Sequence, residues 1–324
     1  MSYLEFENNS LFRIYERYFK QIMKIEYNET GVLSSYMANL SRKERRKYLF
    51  QANSNFKVAE TLNEILASFS FDDLREGIKI SKVIDPEHDL EQLCFTYESH
   101  TYINPDAKAF KFDHQGLYII PNALTPDACN ELVMMAYSKN TALECRNSLD
   151  VPNPFDLDLK SQRKLRWMTC GYEYSWKKKC YVDISPSNYS ANHPLHKDSI
   201  LNRVVKDITS FLNIKADPQS AVFNFYSLTD SLTGHFDSAE PNQESPLISI
   251  SLGYPAIFLI SKDKDSPVTP IILRHGDVLV MSGPSRRIFH GVPRIAKHDK
   301  DQDIINCNSL FNESRLNINI RQVL

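Results

Sequence analysis

Apolar residues recur at three- and four-residue steps near the start of the chain. Between residue 10 and about residue 70 the recurring positions are Leu11, Ile14, Tyr15, Tyr18, Ile22, Leu62, Ile65 and Leu66. This spacing places apolar side chains on one face of an α-helix. The pattern therefore predicts packed helices, and we assign residues 1–104 to a helical N-terminal region.

After residue 115 the apolar residues come in short runs instead. Residues 116–121 predict a strand, and Thr125 followed by Pro126 predicts the capped start of a helix that runs to about Lys139. Further β-rich runs lie at 180–184, 221–227, 247–252, 256–260, 270–274, 277–281 and 315–323. Many short strands with tight connections are typical of a sandwich or a jelly roll. We expect an α+β protein whose second domain, residues 105–324, has such a core.

Composition places the chain among ordinary globular proteins, with 324 residues, 42% hydrophobic residues and a formal net charge of -2. No run approaches the ~20 apolar residues of a membrane span, so no membrane partner is expected. The first residues, Met-Ser-Tyr-Leu-Glu-Phe-Glu, resemble neither a secretory nor a typical mitochondrial signal, which favours the nucleus or the cytoplasm. The six cysteines include no Cys-x-x-Cys pair that would indicate zinc or a redox dithiol.

One basic stretch stands out against the nearly neutral total. It contains Lys160, Arg163, Lys164, Arg166 and the lysines at 177–179, and the aromatic residues Trp167, Tyr172, Tyr174 and Trp176 are interleaved with them. Stacking surfaces combined with positive charge suit the binding of an extruded base and its phosphates. The alternative is a solvated basic face over aromatic core residues.

A candidate metal site begins at Gly234-His235-Phe236-Asp237, which we place at or just beyond a strand end. In extended backbone, residues two apart point the same way, so His235 and Asp237 can converge on one ion. His290, after another apolar run, is the best third ligand. Two histidines and one carboxylate are the ligands of non-haem Fe(II) oxygenases. Zinc remains open at this point, and so does a chance His-x-Asp.

The segment from Arg315 to Arg321 alternates polar and aliphatic residues and predicts a strand with two different faces. Its polar face either meets solvent or looks into a barrel mouth, where arginine forks match the carboxylates of a dicarboxylic acid. Asn224 and Tyr226, at alternate positions of an earlier strand, could bind the same acid.

At these positions the sequence resembles the AlkB family of 2-oxoglutarate dioxygenases, over roughly residues 110–324. The shared motifs are Asn224-Phe225-Tyr226, His235-x-Asp237, Leu252-Gly253-x-Pro255, His275-Gly276-Asp277, Ser285-Arg286 with His290-Gly291, and Arg315 to Arg321. The sequence looks most like the eukaryotic AlkB homologue 1 branch, through the run from Leu165 to Trp176. One departure is Ala239, where many family members have an acidic residue.

The resemblance implies a double-stranded β-helix, which is a jelly roll, that uses Fe(II), 2-oxoglutarate and O2. His235, Asp237 and His290 would be the catalytic metal ligands. Arg315 and Tyr226 would hold the distal carboxylate of 2-oxoglutarate, while Arg321 and Asn224, with Asn317 nearby, would hold the end that chelates iron. Residues of about 160–190 would form a nucleotide-recognition lid. The candidate substrate contacts are Trp167, Tyr172, Tyr174, Trp176, Lys262 and Lys264. The family also allows a mitochondrial location.

Three hypotheses for function stay open on the sequence. The first is oxidative demethylation of methyladenine in tRNA or DNA, or oxidation of a methylcytosine. The second is a dioxygenase directed at proteins such as histones. The third is a nucleic-acid or chromatin binding protein with a weakly active core. The intact set of metal ligands and arginines argues against this third hypothesis.

Overall fold

The computed structural model describes residues 12, 13, 15, 16, 20, 83–93, 101–112, 116–175, 180–182, 189–296, 311 and 314–324. Five residues of the N-terminal region, Phe12, Arg13, Tyr15, Glu16 and Lys20, have helical backbone. The other positions of the predicted N-terminal helices lie outside the described residues, as do Trp176 and the lysines at 177–179. No helix in the described part of the chain has the length and apolar character needed to cross a membrane.

From residue 83 onward, the described residues form fifteen strands and five α-helices. The strands are β1 (Glu91–Leu93), β2 (Ala109–Lys111), β3 (Leu117–Ile120), β4 (Arg146–Asn147), β5 (Trp167–Gly171), β6 (Glu173–Ser175), β7 (Cys180–Val182), β8 (Ser220–Tyr226), β9 (Leu232–His235), β10 (Leu247–Gly253), β11 (Ala256–Ser261), β12 (Thr269–Leu273), β13 (Val278–Met281), β14 (Phe289–Ile295) and β15 (Arg315–Arg321). The α-helices are α1 (Pro86–Asp89), α2 (Pro126–Ala136), α3 (Lys139–Leu143), α4 (Leu159–Gln162) and α5 (Ile200–Phe211).

Antiparallel pairing joins these strands into two main sheets. The larger has the order β1-β2-β3-β13-β10-β15-β8-β5-β4, and the smaller has the order β12-β11-β14-β9. Strands β6 and β7 form a separate hairpin within the predicted lid. A large antiparallel core is therefore present, which is consistent with the expected jelly roll, and the predicted strands are observed at nearly the expected places.

The helices α2 and α5 pack against the apolar face of the larger sheet. Thr125 caps α2 as predicted, because its side chain accepts a hydrogen bond from the amide of Ala128. This helix ends at Ala136, three residues earlier than expected, and α3 follows separately. Sequence reasoning missed α5, which begins at the N-cap Ser199 and buries six apolar residues at helical spacing.

Strand β15 lies inside the larger sheet, between β10 and β8. Its even-numbered residues Leu316, Ile318 and Ile320 join the apolar core that includes residues of α2 and α5. Its odd-numbered residues are on the other face, which is turned towards the smaller sheet, and Arg315 and Asn317 are buried there. The alternation therefore marks a strand that is covered on both faces, and its polar face is not in solvent.

Candidate metal and co-substrate site

Two adjacent strands of the smaller sheet carry the histidines of the predicted metal site. His235 is the last residue of β9, and Asp237 follows it by two positions. His290 was expected after a strand but lies within one, as the second residue of β14. Gly291 and Pro293 obscured this strand, because both residue types are uncommon inside strands. The register of β14 and β9 places His290 directly opposite His235.

The three side chains form a compact cluster. One ligand atom from each of them lies within 4.8 Å of the others, and no second cluster of this kind occurs among the described residues. Nε2 of His235 is 3.7 Å from Oδ1 of Asp237, and Nε2 of His290 is 3.6 Å from Oδ2. Oδ2 is buried and has no hydrogen-bond partner in the described part of the chain. A buried carboxylate oxygen beside two imidazole nitrogens is a fitting donor set for Fe(II).

Backbone carbonyl groups fix the tautomer of both histidines. Nδ1 of His235 is 2.8 Å from the carbonyl oxygen of Thr233, and Nδ1 of His290 is 3.0 Å from that of Ile288. Because a carbonyl oxygen can only accept, each Nδ1 carries the proton and donates it. Each Nε2 then keeps its lone pair towards Asp237, as a metal ligand requires.

The protonation states of the buried ligands also suit a cation. Burial lowers the pKa of His290 to about 4 despite the opposing charge of Asp237, so the imidazole is neutral at pH 7. Burial alone would raise the pKa of Asp237, but the positive charge of Arg321 and the two histidines lower it to about 2. The cluster therefore offers an ionised carboxylate from Asp237 and a neutral imidazole from His290 at neutral pH.

A buried ionic network that sequence reasoning missed lies behind Asp237. Glu240 and Arg286 expose 3% and 1% of their surface and form an ion pair at 3.2 Å. Arg286 also donates to the backbone carbonyl of Asp237 at 2.9 Å. Glu240 is one position beyond Ala239, so the chain does have an acidic residue close to the place where the resemblance expects one. The only sequence signal for this network was the Ser285-Arg286 motif shared with the AlkB family, for which no structural role was predicted.

Arg321 links this network to the predicted lid. Its guanidinium donates to Oδ1 of Asp237 at 3.0 Å and to Oε1 of Glu240 at 2.7 Å. It also donates to the hydroxyl of Tyr181, on β7, and this hydroxyl in turn donates to Glu240 at 2.8 Å. The β6–β7 hairpin is thus linked to the carboxylate of the metal cluster by two hydrogen bonds in series, a connection that no sequence pattern predicts.

Most of the predicted co-substrate residues meet the metal cluster in one cavity between the two sheets. Its lining includes Tyr226, Asp237, His290, Arg315 and Asn317. Asn224 and Arg321 are not among the lining residues, although Asn224 is the cross-strand partner of Asn317. His235 is not among the lining residues either, so the polar face of β15 shares this space with Asp237 and His290 of the metal cluster.

Two serines on β10 orient the polar side chains of β15. Arg315 donates to Oγ of Ser251 at 2.8 Å and to the carbonyl of Tyr254 at 3.1 Å, and Asn317 donates to Oγ of Ser249 at 2.8 Å. Nε of Arg315 is buried without a partner among the described residues. Burial lowers the pKa of Arg315 to about 10, so it remains charged at neutral pH. The guanidinium is fixed in place and keeps a donor for an anion.

Comparison with known proteins decides the family. A family profile described as "2OG-Fe(II) oxygenase superfamily" matches residues 116–321, which is more than half of the chain. The chain belongs to this superfamily. Membership implies Fe(II), 2-oxoglutarate and O2 for a His-Asp-His cluster of this kind.

The curated relatives of this superfamily member carry AlkB-type names. The chain is 34% identical over 199 residues to "tRNA demethylase abh1" of Schizosaccharomyces pombe, which covers 60% of this chain and 64% of the relative. It is 37% identical over 177 residues to "DNA N(6)-methyladenine demethylase ALKBH1A" of Arabidopsis thaliana, with coverages of 50% and 49%. It is 34% identical over 148 residues to "Nucleic acid dioxygenase ALKBH1" of Homo sapiens, with coverages of 44% and 36%. The chain thus spans less than two thirds of the length of these relatives, and the predicted AlkB resemblance is confirmed.

Among solved structures, "The structure of OsALKBH1" matches 65% of this oxygenase chain and 99% of its own chain. The sequence identity is 22% and the TM-score is 0.46.

The predicted substrate residues that the structure describes lie on several separate elements of this oxygenase domain. Trp167 is half-buried on β5 and is the cross-strand partner of Asn224. Tyr172 and Tyr174 are half-buried in and beside β6, and the ring of Tyr174 packs edge-on against Tyr181 at 5.5 Å. Lys262 and Lys264 are exposed in the loop between β11 and β12.

Proposed function

We propose that this chain is an Fe(II)- and 2-oxoglutarate-dependent dioxygenase that removes N-methyl groups from bases of tRNA or DNA. The observation that carries the proposal is the shared cavity, in which Asp237 and His290 face the buried cation of Arg315. A metal site next to a pocket for a carboxylate is what this co-substrate requires. The two-sheet arrangement is consistent with a jelly-roll core over residues 105–324, with a lid at about 160–190.

His235, Asp237 and His290 would hold the iron. Iron bound there would supply oxidation of a carbon–hydrogen bond coupled to decarboxylation of 2-oxoglutarate. The chain itself contributes the fixed tautomers of the two histidines and the ionised state of Asp237. The buried walls of the cavity keep water away from the reacting groups.

Arg315 would bind the distal carboxylate of 2-oxoglutarate, with Tyr226 at its side. Burial raises the pKa of Tyr226 to about 12, so its hydroxyl keeps the proton and can donate to an anion. Asn317, with Asn224 as its neighbour on the next strand, would contact the opposite end of the acid. Arg321 would act there as well, in addition to its ion pairs with Asp237 and Glu240.

A nucleic-acid substrate is supported by the names of the relatives and by the charge near the lid. Lys160, Arg163 and Lys164 are exposed on and just after α4, directly before the strand that carries Trp167. Exposed cations of this kind attract phosphates without reading sequence. The strands β5, β8 and β15 are adjacent, so Trp167, Asn224 and Asn317 form a continuous row from the lid side to the cavity.

The test is a substrate panel. Purified protein with Fe(II), ascorbate and 2-oxoglutarate is offered methylated tRNA, methylated DNA oligonucleotides, with methyladenine or methylcytosine, and methylated histone peptides. Formaldehyde release and the mass change of each substrate are recorded. We expect formaldehyde and loss of a methyl group from nucleic acid.

The matched control is His235→Ala, which removes one ligand at a half-exposed position. We expect this variant to lose turnover and to keep its affinity for tRNA. Formaldehyde from the peptides alone would refute the proposed substrate class, and activity that survives in His235→Ala would refute the proposed metal site.

A further inference from the structure

The N-terminal residues described in the structure pack against the strand that carries His235. Phe12 is fully buried, and its ring packs edge-on against Phe289 of β14 at 4.6 Å. The amide of Phe12 donates to the carbonyl of Lys264 at 2.9 Å, in the loop between β11 and β12. This helical segment is therefore fixed to the smaller sheet beside the metal cluster.

Glu16 makes the closest polar contact of this segment with the site. It exposes 2% of its surface, and Oε1 accepts a hydrogen bond from the amide of Gly234 at 2.7 Å. Oε2 accepts from Arg13 at 2.7 Å, so both carboxylate oxygens are bonded. A buried carboxylate bonded to a backbone amide is a strong, charge-assisted contact.

Gly234 immediately precedes His235, and the contact depends on its being glycine. A Cβ at this position would lie 2.5 Å from Cε1 of Phe12 and 2.7 Å from Cε1 of Phe289. The close approach of the N-terminal segment therefore requires a residue without a side chain next to the metal ligand.

His235 is also the ligand that the rest of the fold constrains least. Its side chain is 36% exposed, whereas those of Asp237 and His290 are 8% and 6% exposed. It is the last residue of β9, the outer strand of the smaller sheet, and the pairing with β14 is irregular there. The sheet fixes His290 from both sides but holds β9 from one side only.

We propose that Glu16 is a positioning residue for the metal site, which fixes the Gly234 peptide and thereby the direction of the His235 imidazole. This inference rests on the proposed metal site. It gives the N-terminal segment a defined role, in which Glu16 acts through His235 and makes no contact with the metal itself.

Binding of Co(II) to the full chain tests the inference without turnover. Calorimetry gives the affinity, and the visible spectrum of bound Co(II) reports the geometry of its ligands. Loss of an outer partner of a metal ligand typically weakens metal binding about 10- to 100-fold. We expect a loss of this size and an altered spectrum for Glu16→Ala, whereas Glu16→Gln, which keeps an acceptor for the Gly234 amide, should retain most of the affinity and the wild-type spectrum.

Hydrogen exchange of the Gly234 amide accompanies the titration and reports the contact directly, even if Glu16→Ala is less stable than the wild type. The amide should exchange faster in Glu16→Ala and stay protected in Glu16→Gln. Wild-type affinity and spectrum in Glu16→Ala, together with faster exchange, would overturn the inference. Equal losses in the Ala and Gln variants would overturn it too.

His235→Ala separates this inference from the proposed function. If His235→Ala binds Co(II) as well as the wild type does, the metal site itself is wrong. If His235→Ala loses binding while Glu16→Ala keeps it, the metal site stands and only the role of Glu16 is refuted.

Discussion

Arg315→Lys tests how the cavity recognises its co-substrate. The substitution keeps a positive charge at the end of β15 but removes the planar fork of the guanidinium. In the wild type, the two terminal nitrogens of that fork donate to Tyr254 and Ser251, and Nε has no partner among the described residues. A lysine ammonium cannot satisfy Ser251, Tyr254 and a carboxylate with the same geometry.

The expected loss follows from the number of bonds. We expect the lysine variant to lose about one charge-assisted hydrogen bond to the distal carboxylate, which contributes about 1.5–3 kcal/mol. Because about 1.4 kcal/mol corresponds to a tenfold change in affinity, 2-oxoglutarate should bind about 10- to 150-fold more weakly. The long-range charge remains, so binding should be weakened and not abolished.

The assay is calorimetric titration of the protein loaded with Mn(II), which avoids turnover. A matched ligand, 2-oxobutyrate, has the same 2-oxo acid end and lacks the distal carboxylate. If Arg315 holds the distal carboxylate, its replacement should leave the weaker binding of 2-oxobutyrate almost unchanged. Equal losses for the two acids, or unchanged affinity for 2-oxoglutarate, would refute the assigned role.

Three further predictions concern stability. Arg286→Met leaves Glu240 buried without one of its ion-pair partners, so the free energy of unfolding in urea should fall by about 3–5 kcal/mol. The control is Arg203→Met, at the exposed pair with Glu131, which should lower the free energy of unfolding by less than about 1 kcal/mol. Similar losses of stability in the two variants would contradict the reasoning. Burial raises the pKa of Asp277 from 3.8 to about 6, so its contribution to stability is complete well below pH 3.8 and is lost as the pH rises through 6. Relative to Asp277→Asn, the wild type should lose about 2.4 kcal/mol between pH 4 and pH 7, and a constant difference would contradict this. Mn(II) at about 100 times its dissociation constant should stabilise the wild type by about 2.7 kcal/mol, a chelator should reverse this, and a similar gain in His235→Ala would count against the ligand set.

Many strands of the two sheets could be predicted because they are short, apolar and separated by turn residues. The runs that became β8, β10, β11, β12 and β13 carry this pattern. The two strands that hold the histidines were missed, since β9 has four residues including Gly234, and β14 contains Gly291 and Pro293. The ligands could be recognised by their chemistry, while the strands that position them could not be recognised by their periodicity.

The partners of the site residues were harder to predict than the residues themselves. Ser251 and Arg315 meet across a strand pair, although 64 positions separate them in the chain. Ser249 and Ser251 look like ordinary polar positions of a strand, and only the register of β10 with β15 shows that they lie beside the polar residues of β15. The contact between Glu16 and Gly234 spans 218 positions, and no local pattern predicts such a contact.

The double covering of β15 has a consequence for how this protein can vary. A strand with one solvent-exposed face can accept substitutions at every second position. In β15, however, five of the seven residues are buried and the other two are half-buried. Substitutions at Ile318 would change the packing beneath Asn317 and Arg315, because one backbone carries both faces. Substitutions in the apolar core beneath β15 therefore also affect the cavity. We expect the sequence of β15 to change slowly, at its aliphatic and polar positions alike.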